Sequence, residues 1–353
     1  MSSSMISVVI CAYSLGRWDE LTAAVMSVEQ QSVPAAEIIV VSDHNVDLFD
    51  RVRNKLPSVT TIENYEAQGL AGARNCGVRA ARGDIIAFLD DDAIAAADWL
   101  SQLSAGYDDP SVNGVGGSIE PRWSSGRPAW FPQEFDWVVG CTYRGMPEKA
   151  APVRNLIGAN MSFRRRVFEI AGGFRSGIGR VGAQPSGCEE TELCIRASQL
   201  VPGTVLLYEP RARVYHRVPS NRATWDYYRR RCHAEGRSKV LVAMLVGAGD
   251  GLASERAYTL ATLPQGVARG AGDALTGHDW AGIARAGAIV AGLMITTAGY
   301  VTGHISARSI FGGRSKPARA PTRWTGPGFE WPAGMAISEV GVEADNPAYS
   351  GER

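Results

Sequence analysis

From residue 5 to about 118 the chain alternates short apolar, β-branched runs with segments whose apolar residues recur at helical spacing. Ile6 to Ile10, Glu37 to Val41, Val59 to Ile62, Ile85 to Leu89 and Val112 to Gly116 read as strands. Trp18 to Gln30, Leu48 to Lys55, Ala71 to Ala81 and Ala96 to Tyr107 read as helices. Strand and helix in turn predict right-handed crossovers, and therefore an α/β fold with a mostly parallel sheet covered by helices on both faces. Ligands of such a sheet bind at the carboxyl ends of its strands. Those ends carry Ala12 and Tyr13, then Asp43, then Asp90, Asp91 and Asp92.

The pattern loosens between Glu120 and Gly187, which is rich in Gly, Pro and Trp and holds Trp123, Trp130 and Trp137. Aromatic side chains in such a region either pack beneath the loops or form a platform for a sugar or apolar acceptor. Helical spacing returns after residue 188. Trp225 to Val246 predicts a long helix rich in Arg, followed by helices over Glu255 to Ala271 and Trp280 to His304. Ala286 to Gly303 carries no charge, but seven of its residues are Gly or Thr. About 18 apolar residues is the lower limit for a membrane span, so both a spanning helix and a packed or interfacial one fit. The tail from Gly312 has five prolines, seven glycines and few aliphatic residues, a composition that predicts disorder.

The 353 residues include 36 Lys plus Arg and 36 Asp plus Glu. A net charge of zero gives no global field toward nucleic acid or anionic lipid, so any attraction for phosphate is local. The six cysteines form no CxxC pair, which argues against a zinc knuckle or a disulfide framework and fits a reducing compartment. Met5 to Ala12 has no basic residue before it and reads as a strand rather than a signal sequence, so the expected location is cytoplasmic.

Three carboxylates follow the buried strand Ile85 to Leu89. Alternate residues point the same way, so Asp90 and Asp92 can share one cation. Taken alone, the run also fits one Asp capping the next helix with the others solvated. Its surroundings are more specific: Gly69-Leu70-Ala71-Gly72-Ala73-Arg74-Asn75-Cys76-Gly77, then Arg82-Gly83-Asp84 before Phe88-Leu89-Asp90-Asp91-Asp92. This arrangement resembles the donor-binding half of a family 2 glycosyltransferase of the GT-A fold, with its Gly-rich ARN-x-G helix, Gly-Asp turn and FLDxD. The resemblance runs from about Ile6 to His216.

The resemblance implies a Rossmann-like GT-A domain plus a C-terminal helical region. Residues 1–118 would be the nucleotide-sugar half, 119–220 the acceptor-binding and catalytic half, 221–310 the helical region, and 311–353 a disordered tail. Ala12 and Tyr13 would line the nucleoside pocket, and Asp43 would accept the N3 hydrogen of a uracil-type base. Where the family often has Asp-Asp-Gly-Ser, this chain has Ser42-Asp43-His44-Asn45, which leaves the base open. Arg74 would approach the diphosphate. Asp90, with Asp91 nearby, would contact ribose and metal, and Asp92 would be a direct metal ligand.

Cys188-Glu189-Glu190-Thr191-Glu192-Leu193 resembles the family's Glu-Asp-x-Glu/Asp-Leu segment. That makes Glu190 the expected catalytic base, with Glu189 able to take the role because Glu replaces the usual Asp. An acidic first helical turn is the plainer alternative. Tyr208 to His216 resembles the strand pair after that helix, where the family frequently places a metal-binding His, here His216. Mixed carboxylate and imidazole ligation suits Mn²⁺ better than Mg²⁺. Nine basic residues lie from Arg211 to Lys239; one or two could steady a departing diphosphate, and the rest fit either an anionic acceptor or lipid headgroups, or a solvated helix face.

The implied activity is inverting, metal-dependent transfer of a single sugar from a nucleotide diphosphate sugar, a UDP-sugar by expectation, to an acceptor hydroxyl in cell-surface glycan or glycolipid assembly. The processive Gln-x-x-Arg-Trp motif is absent, which favours transfer of one sugar over polymerisation. Glycan, glycolipid or small-molecule acceptors all fit, and nucleic acid is not expected. The alternatives are a lipid-phosphate glycosyltransferase docked on the cytoplasmic membrane face through the C-terminal helices, and a catalytically silent GT-A module that binds nucleotide or a partner protein.

Overall fold

The computed structural model describes residues 5–180, 187–201, 203–251, 253–277 and 279–311. The tail expected to be disordered lies outside them. The first half runs β1 (Ile6–Ala12), α1 (Trp18–Glu29), β2 (Glu37–Ser42), α2 (Val46–Lys55), β3 (Thr60–Glu63), α3 (Leu70–Ala80), β4 (Ile85–Asp90), β5 (Ala93–Ala95) and α4 (Trp99–Ala105). Then come β6 (Val112–Trp123), β7 (Ala151–Pro152), β8 (Asn160–Arg164), α5 (Arg165–Ala171), α6 (Glu189–Leu200) and β9 (Val205–Val218). The C-terminal region is helical: α7 (Trp225–Val246), the short α8 (Ala248–Gly251) and α9 (Ala253–Ala257), a wide turn over Tyr258–Thr262, α10 (Leu263–Leu275) and α11 (Ala281–Phe311).

The strands form one sheet in the order β3-β2-β1-β4-β8-β6-β9-β5, with β7 also paired to β9. The parallel pairing read from the sequence joins β3, β2, β1 and β4. The second half adds antiparallel ladders of β8 with β4 and β6, and of β5 and β7 with β9. Between them β6 and β9 run parallel, with β6 passing through residue 118 so that both halves share one sheet.

Alternation along β1 shows why helices cover both faces. Val8 and Ile10 pack with Leu21, Val25 and Val28 of α1 and with Trp99 and Leu103 of α4. Val9 packs with Ala73 and Cys76 of α3, Phe168 of α5 and Leu193 of α6. A Cβ on Gly77 would lie 2.4 Å from Val9 Cγ1, so the glycine of the ARN-x-G segment lets α3 sit directly on the sheet. On the first face the core continues through Phe131, Phe135 and Tyr228 into Leu263 and Ile289, which seats the C-terminal helices on the α/β body.

Candidate active site

β4 ends at Asp90, opposite Cys11 of β1, and the chain turns at once into β5. Because β5 pairs antiparallel with β9, Ala93 stands opposite His216. That register brings His216 Nε2 to 3.1 Å from Asp92 Oδ1. Ligand atoms of Asp90, Asp92 and His216 all lie within 4.8 Å of one another. Asp92 and His216 are buried and Asp90 is half-buried.

Two carboxylates out of water need counter-charge. Arg17, in the turn Leu15–Arg17 after β1, lies 2.8 Å from Asp91 Oδ1 and also pairs with Asp92, while Arg222 stands 3.7 Å from Asp92. Burial pushes the Asp91 carboxyl up to about 8, against Arg17 and with the help of Asp92 and Asp90. Burial also opposes ionisation of Asp92, but His216, Arg17 and Arg222 outweigh it and hold that carboxyl well below the usual range. Asp91 Oδ2 is buried without a hydrogen-bond partner among the described residues. An acid, acid and imidazole set at this separation, beside an unsatisfied carboxylate oxygen, fits a divalent cation such as Mn²⁺.

Arg74 is fully buried, and its guanidinium lies between sites rather than out in solvent. It donates to Glu189 Oε1 at 2.9 Å, to the Gly158 carbonyl at 3.1 Å, and lies 3.4 Å from Asp90. Glu189 and Glu190 open α6 after Cys188, which holds φ of +79° although it is not glycine. That left-handed turn aims the first turn of the helix at the cluster on β4. Glu189 is buried with Oε2 unpartnered among the described residues. Glu190 is half-buried, and burial, then the charge of Glu189, push its carboxyl up to about 8 against the pull of Arg74.

A cleft of 440 Å³ joins these groups. Asp90, His216, Glu189 and Glu190 line it, along with Trp137, Tyr258 and the inner side of α11. A smaller cavity of 50 Å³ next to it is bounded by Cys11, Ala12, Tyr13, Arg17, Asp43 and the three aspartates. Asp43 is fixed there by Asn64 Nδ2 at 2.6 Å and the Gly69 amide at 3.0 Å. The structure thus gathers Ala12, Tyr13, Asp43, Arg74, the three aspartates, Glu189, Glu190 and His216 around two adjoining cavities. Of the three tryptophans, Trp137 lines the cleft, whereas Trp130 packs edge-on to Trp225 and Tyr228 and Trp123 packs against Phe131.

Sequence reasoning passed over Arg17, Asn64 and Cys141. Arg17 had a signal, being the single basic residue in the turn after β1. Asn64 and Cys141, whose Sγ lies 3.9 Å from His216 Nδ1, are set by loops with no periodicity to read.

A doubly covered α/β sheet thus ends in an acidic cluster at the edge where such sheets bind ligands, and buried Glu189 and half-buried Glu190 line the cleft that Asp90 and His216 also line. Residues 7–170 match the family model described as Glycosyl transferase family 2. The chain is 35% identical over 244 residues to the glucosyl-dolichyl phosphate glucuronosyltransferase of Haloferax volcanii, covering 68% of this chain and 78% of that protein. It is 25% identical over 242 residues to the succinoglycan biosynthesis protein ExoM of Rhizobium meliloti, covering 66% of this chain and 73% of that one. The chain belongs to glycosyltransferase family 2 and is a glycosyltransferase. Its fold is similar to that of the mannosyltransferase PcManGT of Pyrobaculum calidifontis in complex with GDP-Man and Mn²⁺, with TM-score 0.52, 16% identity, and coverage of 84% and 88%.

Proposed function

We propose that this glycosyltransferase moves one sugar, with inversion, from a nucleotide diphosphate sugar to a hydroxyl of a lipid-linked acceptor. The observation that carries the reading is that Asp90 and His216 line the same cleft as Glu190. The smaller cavity beside the aspartates, walled by Ala12, Tyr13 and Asp43, supports a place for the nucleoside, with Asp43 already held rigid by Asn64 and Gly69. A UDP-sugar is the expected donor. The lipid-linked acceptor is favoured by the Haloferax volcanii relative, whose name gives a glucosyl-dolichyl phosphate.

A divalent cation held by Asp90, Asp92 and His216 would offset the charge that develops on the leaving diphosphate. The chain's own residues do the remainder. Glu190 takes the acceptor proton as the acceptor oxygen bonds to the anomeric carbon, while the bond from that carbon to the diphosphate breaks with its electron pair on the diphosphate. A base raised toward neutral pH suits this task better than an ordinary carboxylate. Arg74 fixes Glu189 and Asp90 relative to one another and so ties the base helix to the acidic cluster.

Calorimetric titration with UDP, GDP and dTDP, each with and without Mn²⁺, tests the reading. Metal-dependent binding of one nucleotide is expected, retained in Glu190→Gln while turnover is lost. A folded protein indifferent to all three, with or without Mn²⁺, overturns it.

A further inference from the structure

The largest feature of the molecule that the transfer site leaves unexplained is the outer face of α11. Ile283, Val290, Met294, Val301 and Ile305 are 46–67% exposed, at intervals of 7, 4, 7 and 4 residues. Gly287 and Ala298 fill the same stripe. No charged residue lies between Arg285 and His304. At the turn that leads into the helix, Leu275 and Trp280 are 88% and 74% exposed. Isolated exposed apolar residues are ordinary, whereas a continuous uncharged stripe along some 22 residues marks a surface that something covers.

The inner face is bound to the folded body along its length. Arg285 donates to the Ala129 carbonyl at 3.3 Å, and Tyr228 donates its hydroxyl to the Ala288 carbonyl at 2.8 Å. A Cβ on Gly292 would meet Phe135 at 2.5 Å, and one on Gly299 would meet the His233 backbone at 2.1 Å. Gly236 of α7 approaches the Thr296 carbonyl just as closely. Backbones in such contact leave no room for lipid between α11 and its neighbours. A crossing helix would have to abandon all of these contacts, or carry the Arg-rich α7 into hydrocarbon at several kcal/mol per charge.

We propose that α11 is a monotopic docking helix: it lies in the plane of a lipid bilayer with the stripe from Ile283 to Ile305 in one leaflet and its glycine face on the protein. The proposal deepens the lipid-linked acceptor reading and rests on it for the choice of partner. Charge supports the same partner, since Arg229 and Arg230 of the adjacent α7 are exposed and, among the described residues, share the single acid Asp226, a basic rim for anionic headgroups. Chain after residue 311 is a poor alternative cover, because its few large apolar residues, such as Trp324, Phe329, Trp331 and Ile337, are spread among five prolines and seven glycines. Leu293, Thr296, Thr297 and Tyr300 of the same helix line the cleft, so the leaflet would stand one helix diameter, about 10 Å, from the reacting groups.

The test uses the full chain and vesicles of phosphatidylcholine and phosphatidylglycerol in equal parts. The protein is expected to float with the vesicles, and Val290→Glu with Met294→Glu is expected to reduce the bound fraction by roughly tenfold, with Mn²⁺-dependent UDP binding in solution unchanged. Cysteines placed at Thr276 and at His304 are both expected to react with an impermeant maleimide added outside. Protection of one end only means a span and overturns the proposal. So does failure to float, or a lipid-free dimer that the two glutamates dissociate, which would make a second copy the occupant. Loss of UDP binding in the parent protein instead counts against the transferase reading and leaves the docking result standing.

Discussion

Arg74 donates to Glu189 across 2.9 Å although 115 residues separate them in sequence. Both side chains are buried, and the same guanidinium touches Asp90. Arg74 of α3 therefore joins the first turn of α6 to the end of β4.

Removing one partner of a buried pair leaves the other charge uncompensated, which costs about 3–5 kcal/mol. Arg74→Met is expected to lower the urea unfolding free energy by that order, and the double variant with Glu189→Gln is expected to recover part of the loss. A single variant as stable as the parent would show that the pair carries no such weight.

Glu190 sets a pH dependence whose sign is fixed. Its carboxyl is raised from 4.5 to about 8 by burial and Glu189, so the folded protein holds this proton more tightly than the unfolded chain. The stabilisation belongs to the protonated form and is lost as pH rises through about 8. The proposed role as base needs the other form, so kcat/KM is expected to climb with pH toward about 8. Glu190→Gln is expected to be inactive and, relative to the parent, more stable at pH 9 than at pH 5. Thermal unfolding of both proteins at the two pH values checks this, and a gap that does not change with pH defeats it.

Asp92 and His216 make a separate prediction that needs no acceptor. Paramagnetic titration with Mn²⁺ is expected to show binding weakened by roughly 10- to 100-fold in His216→Ala and further in Asp92→Asn. Unaltered Mn²⁺ binding in both variants would remove them from the metal site.

Asn160 offers a stability test away from the chemistry. It accepts from the Trp99 indole at 2.8 Å and donates to the Ser118 and Ala212 carbonyls at 3.0 and 2.8 Å, tying α4, β6 and β9 to β8. Asn160→Leu leaves two buried groups, the Trp99 indole and the Ala212 carbonyl, and the part-buried Ser118 carbonyl without this partner, at about 1–3 kcal/mol for each buried one. Denaturant unfolding should show a loss of several kcal/mol, and a loss under 1 kcal/mol would contradict the account.

The stretch from residue 5 to about 118 was legible because most of its strands and helices are long enough to show a period. Trp225 to Val246 was legible as a helix for the same reason, and α7 has those ends. β5 was not: three residues carry no period, and its only reason to be a strand is the partner β9. Yet β5 sets the register that brings His216 to Asp92, so motif resemblance could name the histidine without showing how it arrives. Arg74 was visible as a motif residue and its burial was not, because Glu189 comes to it through α6 packing on the sheet. The open question over Ala286 to Gly303 is one of neighbours, which composition does not contain.

One helix serves two surfaces. Leu293, Thr296, Thr297 and Tyr300 form part of the cleft wall while Met294 and Val301 face away on the same turns. A chain cut off ahead of α11 would therefore be an unfinished mould, open on one side of the cleft that holds Glu190, the group proposed to take the acceptor's proton. Swapping this segment between relatives should carry acceptor preference along with whatever surface the helix rests on.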